Sequence, residues 1–182
     1  EIHARWSNPK IFVLTNGTKI SETTSLRLKQ YNVTVQVSLD GATAALHDNI
    51  RGRGNFEKAI QGIKLLQKHG IKVVLQSVLS KNTASQIEDF FMLAKSLKIH
   101  SMNFTRLMPT GNGENLVSSG TDEVLTGSDL RDAMERIVHY SNKHKTPTNT
   151  DQPLYNLIDK NLGESGKFGF QGLVVDYKGN LK

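Results

Sequence analysis

The chain has 182 residues, carries a formal net charge of +6 and contains no cysteine. Its length and its apolar content of 37% are those of one folded globular domain with a substantial core, not of a disordered chain. The absence of cysteine excludes a disulfide scaffold and thiolate metal sites within these residues. The sequence has neither an apolar run long enough for a membrane span nor the apolar core of a signal peptide, so we expect a cytoplasmic location without membrane contact.

Basic residues are spread along the chain and are not collected into one run. They alternate with acidic residues, and no basic stretch is interleaved with aromatic side chains as single-strand binders require. The charge pattern therefore predicts a solvated surface of mixed charge and no nucleic-acid partner. Attraction for an anionic cofactor or an acidic peptide is the alternative interpretation.

Apolar runs and amphipathic stretches alternate regularly in the first part of the chain. Ser21 or Thr23 is the candidate N-cap of the first helix, and Asn55 is that of the second. The alternation is typical of parallel βαβ units with right-handed crossovers. Short apolar or β-branched runs predict strands, and apolar residues at three- and four-residue steps predict helices. The predicted strands are 11–15, 33–39, 71–79 and 100–106, and the predicted helices are 19–30, 55–69 and 87–97.

The pattern changes after Pro109. Residues 110–127 are rich in Gly, Ser, Asn and Thr and predict a long loop, and Ser128 is the candidate cap of the helix that follows. Three more segments are predicted beyond that helix: a polar connector at 143–153, a short helix at 154–162 and a hairpin at 172–182.

These elements predict an α/β fold, namely a partial parallel (β/α) barrel of half to two-thirds of a closed one, without its first strands. The barrel core is expected at 1–145, and the connector, the short helix and the start of a C-terminal hairpin at 146–182. An open sheet of this kind has edges that need covering, so dimerisation through a sheet edge is an alternative to a covering segment.

Ser38 and Asp40 are polar residues at the end of the second predicted strand, in the run VQVSLDG. Strand alternation places both side chains on one face and Leu39 on the other. The carboxyl ends of parallel strands are where such folds hold their ligands. Ser38 and Asp40 are therefore suited to binding ribose hydroxyls or an ammonium group. The alternative is an ordinary strand-end turn, in which Ser, Asp and Gly are common.

Arg51 follows one short turn further along the chain, at the start of the segment RGRGN. Its guanidinium is suited to a two-pronged, charge-assisted pair with a carboxylate. The alternatives are a surface arginine or a pair with nearby Asp48. Gly52 and Gly54 precede a helix start and are suited to cradling an anion, although the run lacks the spacing of the nucleotide-binding glycine motifs.

Polar groups also occur at the ends of, or within, two other predicted strands. Asn16 and Gly17 end the first strand, and Gln76 interrupts the apolar run of the third. A buried amide must find partners, so Gln76 either faces a ligand or bonds to neighbouring polar residues. An ordinary turn at Asn16 and Gly17 is equally compatible with the sequence. The six histidines show no ligand spacing, so no metal site is predicted.

The order of these segments resembles one known family. LTNG, then SLDG with HDNIRGRGNFEKAI, then GIKVVLQSVLSKNT and finally LMPTGNG follow the order found in radical S-adenosylmethionine (SAM) enzymes. The resemblance is to the group that modifies peptides and proteins and carries a C-terminal cysteine-rich (SPASM-like) extension, such as sulfatase-maturating enzymes. It covers about residues 10–115.

The resemblance implies a partial (β/α)₆ barrel and a set of SAM contacts. Arg51 would pair with the SAM carboxylate, and Leu107 would offer backbone contacts to the adenine. The segment 110–126 would lie where a peptide or protein substrate enters. The cofactor-binding positions implied in this way are Asn16, Gly17, Ser38, Asp40, Arg51, Gln76 and Leu107.

The resemblance also implies a [4Fe-4S] cluster held by three cysteines in a CxxxCxxC loop. Because this chain has no cysteine, that loop is expected before Glu1, in a longer enzyme of which the chain is a central part. The intact enzyme would cleave SAM reductively and modify a peptide or protein, and this part alone would be inactive.

Two other interpretations stay open. One is a cysteine-free (β/α) barrel enzyme with a phosphate or other anion site at Arg51, Gly52 and Gly54. The other is a non-catalytic half-barrel that binds peptides along an edge strand or dimerises through it.

Overall fold

The computed structural model describes residues 9–150 and, beyond them, positions 158, 175, 176, 178 and 180. The strands in the continuous part are β1 (Phe12–Thr15), β2 (Thr34–Ser38), β3 (Lys72–Leu79), β4 (Ser101–Arg106) and β5 (Thr148–Thr150). The helices there are α1 (Glu22–Gln30), α2 (Ala44–Arg51), α3 (Asn55–Lys68), α4 (Lys81–Ser85), α5 (Ile87–Ser96), α6 (Asn112–Ser118) and α7 (Gly127–His144).

The strands form one parallel sheet in the order β1-β2-β3-β4-β5. In its register Val37 of β2 lies beside Leu75 of β3, which lies beside Met102 of β4. Because each strand pairs with the next one along the chain, the connections are βαβ crossovers. The four predicted strands and their intervening helices are confirmed.

One face of the sheet packs against the helices. Val35 and Val37 on β2 are fully buried in a core that also contains residues of α3, α5 and α7. Phe104 on β4 contacts two aromatic rings of α5, and its ring centroid lies 6.0 Å from those of Phe90 and Phe91. Since strand residues alternate between faces, the residues between these core positions point to the opposite face, and that face carries the polar positions.

Two glycines bring the turn after β1 close to α3. A Cβ atom at Gly62 would lie 2.2 Å from the carbonyl oxygen of Gly17, and one at Gly17 would lie 2.9 Å from Cγ1 of Val37. Gly17 also has a φ of 75°, which favours glycine. The end of β1 is therefore held against the helical layer by backbone contact.

Helix starts agree only partly with the predicted caps. Ser21 is confirmed as the N-cap of α1, because its side chain accepts a hydrogen bond from an amide in the first turn. Asn55 is wrong as a cap: it is the first residue of α3, and Gly54 precedes it in the left-handed conformation. Ser128 is also wrong, because Thr126 occupies the N-cap position of α7.

Helix α6 replaces part of the loop predicted at 110–127. Glycine and asparagine are poor helix formers, but tertiary packing overrides this preference. At Gly113 the backbone approaches so closely that a Cβ atom would lie 2.1 Å from the carbonyl oxygen of Met108. The glycine that argued for a loop is thus what lets α6 pack against the end of β4.

Strand β5 lies in the segment predicted as a polar connector. It has no apolar run, and it joins the sheet through its backbone and through Thr148, which is 4% exposed. The amide of Met102 donates a hydrogen bond of 2.8 Å to the carbonyl oxygen of Pro147, directly before β5.

The C-terminal predictions are tested only at single positions. The amide of Asp176 donates to the carbonyl oxygen of Asn180 at 2.8 Å, which is a turn at the predicted place. The helix predicted at 154–162 and most of the hairpin at 172–182 lie outside the described residues, and the division of the chain after residue 145 stays a prediction. Within the described ranges, no helix has the length and apolarity needed to cross a membrane.

Candidate functional site

The turn after β2 buries a carboxylate. Asp40 is 4% exposed, whereas Ser38 two residues earlier is half-buried. Leu39 between them is fully buried in the core. This burial pattern agrees with the predicted alternation. A buried carboxylate requires partners. Arg51 of the neighbouring helix α2 supplies one, and the amide of Val78 on β3 donates to the other carboxylate oxygen at 3.4 Å.

Two residues of α2 bind Asp40. His47 and Arg51 lie one helical turn apart, so they share a face of α2. Nε of Arg51 forms an ion pair with the Asp40 carboxylate, and Nδ1 of His47 accepts a hydrogen bond from the Asp40 amide at 3.1 Å. A Cβ atom at Gly41 would lie 2.4 Å from the amide nitrogen of His47. The glycine of SLDG therefore permits the close approach that assembles the Asp40–Arg51 pair.

His47 is 2% exposed and contacts the ring of Phe56 edge-on. Burial is the main cause that lowers its pKa below the ordinary 6.5, and the charge of Arg51 acts in the same direction, whereas Asp40 and Asp48 oppose it. The neutral ring with its proton on Nε2 leaves Nδ1 as an acceptor, which the hydrogen bond from Asp40 requires.

We predict that His47 makes the protein less stable in mild acid. Its folded-state pKa lies below the unfolded value of 6.5, so the unfolded state takes up more protons as the pH falls through 6.5. The stabilising contribution of neutral His47 is therefore fully present above pH 6.5 and declines as the pH falls below it. In His47→Asn the amide oxygen can still accept from Asp40, but this position no longer titrates. Urea unfolding at pH 7.5 and pH 5.5 should show a smaller acid loss in the variant than in the wild type, and equal losses would contradict the prediction.

One alternative predicted a pair between Arg51 and Asp48. Asp48 instead binds the start of α3. Its carboxylate accepts hydrogen bonds from the amides of Gly54 at 2.6 Å and Phe56 at 2.8 Å. The bonds from these two amides, Phe56 first, lower the pKa of Asp48. The Gly54 amide is thus occupied by the Asp48 carboxylate, and the Gly52 amide donates to the Asp48 carbonyl oxygen at 2.8 Å. Neither amide is available to cradle an anion, so the anion site predicted at Gly52 and Gly54 is wrong.

Asn16 and Gly17 form a tight turn after β1. The side-chain oxygen of Asn16 accepts hydrogen bonds from the amide and the hydroxyl of Thr18, at 3.1 and 2.9 Å. The Gly17 amide donates to the hydroxyl of Thr15 at 3.1 Å. The ordinary turn therefore accounts for both residues, and their contact with SAM remains a prediction.

Gln76 bridges three strands on the polar face of the sheet. Its side-chain oxygen accepts from Gln36 of β2 at 3.0 Å, and its nitrogen donates to the hydroxyl of Thr105 of β4 at 2.9 Å and to the carbonyl oxygen of Ser77 at 3.1 Å. Gln76 is 8% exposed, and these bonds satisfy its amide as a core residue. A role toward SAM remains a prediction.

A cleft of about 360 Å³ lies between the Asp40–Arg51 pair and α6. Leu107 also lines it, so the structure brings together three of the predicted residues. The amide of Leu107 donates to the carbonyl oxygen of Leu79 at 3.0 Å, which leaves its carbonyl oxygen as the backbone group suited to a ligand. The other four predicted positions do not line the cleft; they are Asn16, Gly17, Ser38 and Gln76.

Three buried polar residues of the cleft wall were missed from the sequence. Ser80, Thr83 and Asp122 line it and are almost completely buried. The spacing S-x-x-T at Ser80 and Thr83 is a capping-box pattern that would have located the start of α4. Asp122 lies in the segment predicted as a loop, and its burial has no sequence signal.

A parallel βα sheet defines a protein of the α/β barrel class, and the ion pair between buried Asp40 and exposed Arg51 beside a cleft marks a candidate ligand site at the carboxyl end of its strands. The family model of the radical SAM superfamily matches residues 1–94, just over half of the chain. The chain belongs to this superfamily.

Two curated relatives show how much of a longer protein the chain matches. The AdoMet-dependent heme synthase of Methanosarcina barkeri is 33% identical over 133 residues, covering 72% of this chain and 35% of that protein. Mycofactocin maturase MftC of Mycobacterium tuberculosis is 37% identical over 101 residues, covering 54% of this chain and 26% of that protein. The matched stretch thus spans about a quarter to a third of these relatives.

The fold has solved counterparts. The structure of native anSMEcpe with bound AdoMet, another abbreviation of SAM, matches 94% of this chain and 50% of that chain with a TM-score of 0.66 and 18% identity. The same protein with AdoMet and the Cp18Cys peptide matches with a TM-score of 0.64. At this identity the likeness concerns the fold alone, and it confirms the predicted partial parallel barrel.

Proposed function

We propose that this chain is the SAM-binding core of a longer radical SAM enzyme that modifies a peptide or protein. The observation that carries the proposal is the Asp40–Arg51 pair beside the cleft. Asp40 engages only Nε of Arg51, and the terminal guanidinium nitrogens make no hydrogen bond with the part of the chain that the structure describes. A guanidinium fixed at one edge is prepared for a two-pronged bond to a carboxylate at the other.

The residues of the cleft suit the groups of SAM. Arg51 would hold the carboxylate of the methionyl part, and Asp40 would face the ammonium group. The carbonyl oxygen of Leu107 would accept from the adenine amino group. Ser38 and Gln76 do not line the cleft, so they would contact SAM only where its ribose extends beyond the cleft. All of these are positioning roles, in which the protein orients the bound cofactor and excludes competing reactions.

The part of the chain that the structure describes contains no ligand set for a [4Fe-4S] cluster. The sequence has no cysteine, and the described residues contain no group of histidine, cysteine or carboxylate side chains that could hold a metal ion. The cluster's ligands would belong to another part of the longer enzyme. With both groups bound, the cluster would supply the electron for reductive cleavage of SAM and SAM would supply the group that abstracts hydrogen, while Asp40, Arg51 and Leu107 of this chain would hold SAM in place.

The activity is tested with the full-length protein. It would be reconstituted anaerobically with iron and sulfide, reduced with dithionite and given SAM. We expect methionine and 5′-deoxyadenosine in equal amounts by mass spectrometry. A protein that shows the spectrum of an intact cluster and binds SAM, but forms neither product, would contradict the proposed function.

A second substrate class has its own support. One relative, which matches 72% of this chain, is an AdoMet-dependent heme synthase, so a tetrapyrrole substrate is the alternative to a peptide. Substrates labelled with deuterium at their reactive positions would separate the two, because abstraction transfers deuterium into 5′-deoxyadenosine. If deuterium reached 5′-deoxyadenosine only from the labelled tetrapyrrole, the substrate would be a tetrapyrrole and not a peptide.

The exposed edge strand β1 supports the proposal that another segment or a second copy of the chain packs against it. Phe12 and Leu14 on edge strand β1 are 56% and 71% exposed. Either a covering segment or a second copy would bury them, and light scattering at increasing protein concentration distinguishes these cases. Separately, we propose that the longer enzyme is cytoplasmic.

A further inference from the structure

Asp122 ties the segment after α6 to the start of α4. Its carboxylate accepts hydrogen bonds from the Ser80 hydroxyl at 2.5 Å, the Asn82 amide at 3.2 Å and the Glu123 amide at 2.8 Å. The side-chain nitrogen of Asn82 also donates to the carbonyl oxygen of Thr121 at 2.9 Å. We call the contacts of Ser80 and Asn82 with Thr121 and Asp122 the Asp122 latch.

The latch fixes the position of α6. The amides of Thr121 and Asp122 both donate to the carbonyl oxygen of Leu116, at 3.0 and 3.2 Å, so the latch residues also cap the last turn of that helix. Leu116 and Asp122 line the same cleft as the Asp40–Arg51 pair. Displacing Asp122 would therefore move one wall of the cleft.

The other end of the latch connects to the wall that carries Asp40. Residue Gln86, at the junction of α4 and α5, accepts from the Ala42 amide at 2.9 Å and donates to the Thr43 hydroxyl at 3.1 Å. One short stretch of chain, from Ser80 to Gln86, therefore holds both the turn after Asp40 and the segment after α6. Both walls of the cleft are therefore hydrogen-bonded to the same segment.

We propose that Asp122 is a positioning residue for SAM: the latch holds α6 at the distance from Arg51 that the cofactor requires. This inference rests on the proposed function, because it takes SAM to be the molecule in the cleft. Asp122 itself has its carboxylate engaged by three donors and acts through α6. It follows that its loss weakens SAM binding without slowing the cleavage of SAM once bound.

The test compares Asp122→Ala, Asp122→Asn and Glu123→Gln in the full-length, cluster-containing protein. The alanine variant loses the latch, and we expect its Kd for SAM to rise at least tenfold. The asparagine variant keeps one oxygen acceptor and a polar group facing Ser80, so its Kd should stay within threefold of wild type. Glu123→Gln removes only the exposed pair with Lys81 and serves as the matched control. At saturating SAM, 5′-deoxyadenosine formation should stay within threefold in all of them.

An unchanged Kd in Asp122→Ala would overturn the inference, and so would a tenfold loss of rate at saturating SAM. Should that variant fail to fold, Asn82→Ala takes its place; it removes only the bond to Thr121, and we expect about a threefold rise in Kd. No rise there would also overturn the inference. A wild-type protein that does not bind SAM would refute the proposed function itself. A wild-type protein that binds SAM, together with latch variants whose Kd is unchanged, would refute only the role of Asp122.

Discussion

Replacing Arg51 with alanine should raise the Kd of the full-length enzyme for SAM roughly 30- to 150-fold, which corresponds to about 2–3 kcal/mol for a charged hydrogen-bonded pair. The variant loses the group proposed to bind the SAM carboxylate. It also leaves Asp40, which is 4% exposed, without its ion-pair partner. An unpaired carboxylate in the cleft wall repels a second carboxylate, so both changes act against binding.

The matched control for Arg51→Ala is Arg53→Ala. Arg53 has the same charge, lies two residues away and is exposed, with no ion pair among the described residues. Its removal changes the net charge equally but should leave the Kd for SAM within twofold. Titration calorimetry of the cluster-containing protein measures both. Equal affinities in the wild type and Arg51→Ala would remove Arg51 from the SAM site.

Replacing Phe104 with alanine should lower the free energy of unfolding by about 3–5 kcal/mol, the usual range for a large buried aromatic side chain. Phe104 is 1% exposed and packs against Phe90 and Phe91 between β4 and α5. The variant would leave a cavity there that well-packed neighbours fill only in part. Urea unfolding followed by circular dichroism measures the change, with the slope of the transition expected to stay the same.

Phe12→Ala provides the comparison, because it deletes the same atoms from a side chain that is 56% exposed on edge strand β1. It should cost less than about 1 kcal/mol in this chain, as surface substitutions do. Similar losses in Phe12→Ala and Phe104→Ala would contradict the assignment of the core to the helical face of the sheet. A loss confined to Phe104→Ala would support it.

The strand–helix repeat was predictable because the strand positions that face the helices are apolar, as at Val35 and Val37 of β2 and Phe104 of β4. Strand β5 was not, because Thr148 and its neighbours are polar and enter the sheet through backbone hydrogen bonds. Helix α6 was missed for a related reason. Its glycine serves close packing against Met108, and this need depends on a contact that the local sequence does not encode.

The site was predictable in its chemistry and less so in its pairings. Strand alternation and residue type singled out Asp40 and Arg51, which line the cleft, and Ser38, which does not. The bond between Asp40 and Arg51 depends on the approach of α2 that Gly41 permits. The same limit applies to Asp48, whose carboxylate binds the start of α3. Pairings across turns are set by tertiary geometry, so spacing alone left several of them open.

The most direct test of the account is a crystal structure of the full-length protein with its cluster and SAM bound. We expect SAM in the cleft between the Asp40–Arg51 pair and α6, with its carboxylate within hydrogen-bond distance of the terminal nitrogens of Arg51. SAM bound elsewhere, or in this cleft with its carboxylate away from Arg51, would contradict the proposed site.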